Sequence, residues 1–297
     1  MTVLLTGAGG QLGRALVAAS GTRAVAAFVH ADLDITDSEA VRLALKTTGA
    51  ELVINAAAFN AVDAAETAPA LSWACNREGP AVLAAACAEA GLPLLHVSTD
   101  YVFDGALARP YREDDRAAPL GVYGASKLAG EEALRQQLPR HIILRTAWLF
   151  DMQGENFLTR LLQRARSGHR LAVVEDQWGC PTPVAALAEA LLTLADRYLA
   201  GQALPWGTWH FSGAPGVSRH AFAEAIMMSA RAQGLIPPGP PVAALRSADW
   251  PAAAPRPADS RLDCVHSCQR LGLQQPDWRA ALMQMMKETA LAAGSKA

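Results

Sequence analysis

The sequence predicts an α/β protein built on a doubly wound parallel sheet, and three observations lead there. Short β-branched or Leu-rich runs alternate with longer Ala-rich runs through the first half of the 297 residues, the pattern of βαβ units. The short runs, residues 3–6, 24–28, 52–55, 94–98 and 142–146, are almost wholly apolar, as strands covered on both faces must be. The composition, 51% hydrophobic against 18% charged, suits a chain that buries a large core without staples.

Each element follows in order. The first run leads into Thr6-Gly7-Ala8-Gly9-Gly10-Gln11-Leu12-Gly13 and a helix over 11–19. Thr36-Asp37-Ser38-Glu39 is a capping-box pattern opening a second helix over 37–47. A third helix is predicted over 70–90, ended by Gly91 and Pro93, and a fourth over 123–137. After Phe150 the beat weakens, and residues 237–257, rich in Pro, Gly and Ala, read as a loop or extended crossing. The tail from Leu291 is expected to fray.

Charge and cysteine content exclude whole classes. Lys and Arg number 26 against 28 Asp and Glu, a net charge of −2 without basic clusters, so neither nucleic acid nor an anionic membrane is an expected partner. Glu51, Glu89, Arg145 and Glu189 interrupt the apolar runs that approach a membrane span. Thr2-Val3-Leu4-Leu5-Thr6 has no leader character, so a cytoplasmic location is the expectation. The five cysteines are widely spread and read as free thiols; Cys264 and Cys268 around His266 form too loose a cluster to expect a metal.

Two constellations carry chemistry. Gly7, Gly10 and Gly13 fall where backbone amides at a helix N-terminus approach a pyrophosphate, which points to a dinucleotide. Where many such folds place a ribose-binding acid, this chain has Val29 and His30, so NADPH is expected to serve at least as well as NADH, with His30 near the 2′-phosphate. Asp34 reads either as a contact to the adenine edge or as a loop carboxylate leading into the capped helix. In the second constellation, Tyr123 and Lys127 lie one turn apart on a helix face, where an ammonium is expected to lower the phenol's pKa and make Tyr123 a proton donor. Thr99 closes the fourth strand, at the sheet edge where open α/β folds bind ligands, and its hydroxyl can bond the same carbonyl oxygen.

In this order, with Asn55-Ala56-Ala57-Ala58-Phe59-Asn60, Ser98-Thr99-Asp100-Tyr101-Val102-Phe103, Arg145-Thr146-Ala147-Trp148 and Asp176-Gln177-Trp178-Gly179-Cys180-Pro181-Thr182, the chain resembles the extended short-chain dehydrogenase/reductase superfamily, and within it the dTDP-4-dehydrorhamnose reductase family. The resemblance implies a Rossmann-type dinucleotide domain over 1–150 and a smaller, mainly substrate-binding domain over 151–297, with segments returning to the first. It implies reduction of the C4 ketone of a dTDP-linked 4-keto-6-deoxy sugar by NADPH or NADH. Gly10, Gln11 and Leu12 would meet the phosphates, Asp34 and Ile35 the adenine side, and Ala58, Phe59 and Asn60 the nicotinamide half. Thr99, Tyr123 and Lys127 would be the catalytic set. Thr99, Asp100 and Trp148 would contact the sugar nucleotide, with Asn156 and Arg256 as further candidates.

Departures from the family pattern set further expectations. Some members are dimers bridged by Mg²⁺ through glutamates, one of them in the first helix just after the glycine turn; Arg14-Ala15-Leu16 offers no carboxylate there, so no metal is expected in that mode and a homodimer stays open. Asp100-Tyr101 replaces the Asp-Glu pair of sugar-nucleotide dehydratases, which favours reduction. The alternatives are a reductase of another nucleotide-linked 4-keto-6-deoxy sugar and a non-catalytic dinucleotide-binding regulatory subunit.

Overall fold

The computed structural model describes residues 2–250 and 252–294. Strands β1 (Thr2–Thr6), β2 (Ala24–Phe28), β3 (Ala50–Asn55), β4 (Leu94–Thr99) and β5 (His141–Thr146) form a parallel sheet. A sixth strand, Gly207–His210, comes from the second half of the chain and pairs parallel with β5. From one edge the order is Gly207–His210, β5, β4, β3, β1, β2. The winding reverses at β1, whose neighbours are β2 and β3, and the crevice beyond such a reversal is where open α/β sheets take ligands.

Helix α1 (Gln11–Ala19) packs on one face through Leu12 and Leu16. Helix α2 (Ser38–Thr48) is capped by the Asp37 carboxylate, which accepts from the amides of Glu39 and Ala40. The cap is therefore Asp37 alone: the Thr36 hydroxyl turns back to Asp34 at 2.8 Å.

The segment expected as a helix over 70–90 is helical from Pro69 to Ala90 but carries a π-turn within it. After α3 (Val62–Thr67) come α4 (Pro69–Trp73), a π-turn Ala74–Glu78, and α5 (Gly79–Ala90). The reason lies in Pro80, which has no N–H for the carbonyl of Asn76, four residues earlier. That carbonyl packs instead on Gly130 of helix α6 (Val122–Gln137), where a Cβ would sit 2.0 Å away.

Beyond β5, helices α7 (Phe157–Arg166), α8 (Val184–Leu199), α9 (Arg219–Ala232), α10 (Val265–Leu271) and α11 (Trp278–Gly294) follow. Helix α8 joins α1 over the sheet, so part of the second half completes the first layer. A separate core gathers Phe150 with Leu158 and Leu162 of α7, Phe222 of α9, and Trp278 and Met286 of α11. Residues 291–294, expected to fray, continue α11; residues 295–297 of that tail lie outside the described residues. Among the described residues no helix is long and apolar enough to cross a membrane.

Candidate active site

A cleft of about 370 Å³ opens at the C-terminal ends of β1, β3, β4 and β5. Its walls bring together Gly10, Gln11, Leu12, Ala58 and Asn60 with Thr99, Asp100, Tyr123, Lys127 and Trp148, all singled out in the sequence.

The glycine turn forms one end. Gly7 lies at φ +72°, and a Cβ there would fall 2.5 Å from the Ala57 nitrogen, so this glycine lets β1 cross close beneath the β3 loop. A Cβ on Gly13 would sit 2.1 Å from the Gly7 carbonyl, whereas one on Gly10 meets only that carbonyl, at 3.3 Å. Helix α1 starts at Gly10 with no side-chain cap and no acid in its first turn, which leaves its first amides facing outward. Uncapped amides beside an open glycine suit a pyrophosphate, so the residues present fit a dinucleotide.

The β3 loop is tied from below. The Asn76 side chain accepts from the Phe59 amide at 2.9 Å and donates to its carbonyl at 3.1 Å. Asn76 belongs to the π-turn, so the irregularity that Pro80 creates holds the predicted nicotinamide-side loop. Sequence pattern missed it because the segment reads as plain helix.

At the other end, Thr99 leaves β4 with its hydroxyl accepting from the Tyr101 amide at 3.1 Å and donating to Asp100 at 3.1 Å. Asp100 is 2% exposed, and its second oxygen accepts from Ser260 at 2.5 Å. Burial raises its pKa to about 6, against the Ser260 and Thr99 hydrogen bonds. The Tyr101 and Tyr123 rings meet edge to face, centroids 5.9 Å apart.

The expected lowering of the Tyr123 pKa by Lys127 is corrected by the geometry. Burial raises it above its ordinary value, and the neighbouring Thr99 hydroxyl is what opposes the rise. The Lys127 ammonium is directed at the sheet instead, donating to the Val97 carbonyl at 2.7 Å, and burial lowers its own pKa to about 8. Behind it runs a buried chain. Asn55 Oδ1 accepts from the Thr6 hydroxyl at 2.7 Å and the Ala57 amide at 3.0 Å, so the Asn55 amide donates to His96 Nδ1 at 2.9 Å. His96 Nε2 then faces Lys127 Nζ at 3.5 Å, and burial drives the imidazole pKa well below its usual value.

The remaining predicted residues lie apart from this cleft or have other duties. Gly7 shapes the turn without lining the cleft. His30 is exposed beyond β2, and Val29 rather than His30 lies against Gly9. Asp34 accepts from the amide and hydroxyl of Thr36, which hold its carboxyl below the usual range, while the Ile35 side chain packs on Gly79 in the core. Asn156 lines the cleft but caps α7 and donates to the carbonyls of Asp151 and Gln153. Arg256 pairs with Asp63 at 2.7 Å. Arg14 turns onto the Gly9 carbonyl. Among the described residues no cluster of three or more His, Cys, Asp or Glu is placed to hold a metal ion.

Gln11 Nε2, Thr146 Oγ1, Trp148 Nε1 and Arg219 Nε of the cleft wall are buried polar atoms without a hydrogen-bond partner within the protein. Buried donors and acceptors are ordinarily satisfied, so their concentration here marks a ligand site. Arg219 was not foreseen, since nothing near it in sequence carries a motif.

Comparison with known proteins agrees with this architecture. Residues 1–291 match the family described as the RmlD substrate binding domain. A dTDP-4-dehydrorhamnose reductase of Aggregatibacter actinomycetemcomitans is 41% identical over 283 residues, 94% of this chain and 96% of that one. Among solved structures, a dTDP-4-dehydrorhamnose reductase of Clostridium acetobutylicum superposes with a TM-score of 0.88 at 32% identity, covering 97% of this chain and 99% of that one. The Bacillus anthracis protein of the same name, solved in complex with NADP, does so with a TM-score of 0.88 at 31% identity and the same coverage.

Proposed function

The chain belongs to the dTDP-4-dehydrorhamnose reductase family, and from that premise we propose that it reduces the C4 ketone of dTDP-4-dehydro-L-rhamnose to the alcohol of dTDP-L-rhamnose, using NADPH or NADH. The observation that carries the reading is one cleft containing the uncapped start of α1 together with Thr99, Tyr123 and Lys127.

In this reading the amides of Gln11 and Leu12 hold the cofactor's phosphates, and the Ala58 to Asn60 loop, steadied by Asn76, borders the nicotinamide. When bound, the nicotinamide supplies the hydride that reduces C4. Tyr123 gives its phenolic proton to the oxygen on C4. A phenol whose pKa is raised by burial is fully protonated at neutral pH, the form a donor needs. The Thr99 hydroxyl positions the same oxygen and stabilises its developing charge. Lys127, which also bonds the Val97 carbonyl, bonds the ribose hydroxyls in this reading, and its low pKa makes it a ready source of a proton for the phenolate left behind. Asp100, locked between Thr99 and Ser260, borders the sugar from the far side. The test is oxidation of NADPH and of NADH with enzymatically prepared ketosugar. Turnover dependent on the sugar supports the reading; tight NADPH binding without turnover contradicts it.

A further inference from the structure

The cleft contains a cation for which the reduction step has no use. Arg219, the first residue of α9, lays its guanidinium 3.9 Å over the Trp148 ring and 5.1 Å over that of Phe157. No carboxylate of the described residues lies within ion-pair distance of it. Asp100, the acid beside it, has its oxygens engaged by Thr99 and Ser260. Arg256, which shares the Tyr101 hydroxyl with Arg219, is by contrast neutralised by Asp63. Lys127, the other cation in the wall, bonds the Val97 carbonyl and is taken up by the cofactor ribose and Tyr123 in the proposed reaction.

An arginine in such surroundings is incomplete. Contact with an aromatic face returns far less than removal of a charge from water costs, so the site is balanced only when something anionic joins it. Arg219 Nε and Trp148 Nε1 are both buried and unpartnered in the same wall, two N–H donors with nothing to receive them. The platform beneath them is held rigidly. Trp148 is in the left-handed region at φ +42°, unusual for a bulky residue, and its indole fits only because position 179 is glycine, where a Cβ would fall 2.2 Å from the ring. Strain accepted to keep one ring in one place is characteristic of a ligand clamp.

We propose that Arg219 anchors the diphosphate of the sugar nucleotide, with Trp148 as the platform that aims its planar fork. The fork matches two oxygens of a phosphate, which a point charge does not. The inference rests on the proposed function for the identity of the anion, and it makes Arg219 a binding residue that selects nucleotide-linked sugars over free ones.

The test is equilibrium binding of dTDP and of thymidine to the NADP⁺-loaded protein. The intact protein should bind dTDP the more tightly. Arg219→Gln should weaken dTDP binding about 10- to 100-fold and leave thymidine and NADPH binding unchanged. Arg219→Lys, which keeps the charge without the fork, should fall between, and serves alone if the glutamine variant does not fold. Wild-type dTDP affinity in either folded variant, or an intact protein that does not distinguish dTDP from thymidine, overturns the proposal. Arg219-dependent dTDP binding without ketosugar turnover would sink the proposed reaction and leave the anchor standing; turnover with KM unaltered by Arg219→Gln would do the reverse.

Discussion

The two ends of the cleft are made of different material. The end at α1 is backbone: glycines without side chains, uncapped amides, and a loop steadied through its own N–H and C=O by Asn76. The end toward α9 is side chains: Asp100 clasped by Ser260 and Arg219 stacked on Trp148. Backbone donors recognise what every dinucleotide shares, while side chains are what a lineage can exchange to choose a substrate. A cofactor site of the first kind tolerates little change in shape, and a substrate site of the second kind tolerates little change in charge.

Substitutions at each end separate the two kinds of construction. The largest effect belongs between them: Tyr123→Phe should lower kcat by about 10²- to 10⁴-fold with NADPH affinity intact, as steady-state kinetics and a cofactor titration will show. At the backbone end, Gly7→Ala drives a Cβ into the Ala56 and Ala57 main chain and should cost about 2–4 kcal/mol of stability, read by chemical denaturation. Gly10→Ala, which meets only one carbonyl at 3.3 Å, should leave stability almost unchanged yet weaken NADPH binding; equal stability losses in the two variants would blur the distinction.

At the side-chain end the effect is of charge. Burial raises the Asp100 pKa from 3.8 to about 6, so the folded protein binds more protons than the unfolded chain within that window. Its stability contribution is therefore present below pH 3.8 and is lost as pH rises through about 6, a change of about 2–3 kcal/mol. The difference in unfolding free energy between wild type and Asp100→Asn should trace that decline, and a difference independent of pH would contradict it. The smallest effect is expected outside the cleft. His30→Asp should shift preference toward NADH about tenfold, measured as the ratio of kcat/KM values, without altering the melting temperature.

Legibility in the sequence follows the same division. The glycine turn, the strand-end Thr99 and the Tyr123–Lys127 pair are local patterns, and a local pattern survives being read along the chain. So do the five apolar strands. The sixth, Gly207–His210, is short and partly polar and becomes a strand only because the edge of β5 is there to receive it. Asn76, His96, Ser260 and Arg219 act on partners far away in sequence, across 17 to 160 residues for the hydrogen bonds of Asn76, His96 and Ser260. No spacing announces them. The unforeseen π-turn has the same origin, since the carbonyl that Pro80 releases finds its place only against Gly130 on another helix.

The most direct measurement uses NADPH deuterated on the nicotinamide carbon that transfers hydride, with dTDP-4-dehydro-L-rhamnose as substrate and the product read by NMR. Deuterium at C4 of dTDP-L-rhamnose, with the label's appearance slowed about 10²- to 10⁴-fold in Tyr123→Phe, is the result expected of a reductase that passes hydride to C4 and a proton from the phenol. An undeuterated sugar, or label delivered at the wild-type rate without the phenol, would contradict the assignment of this cleft.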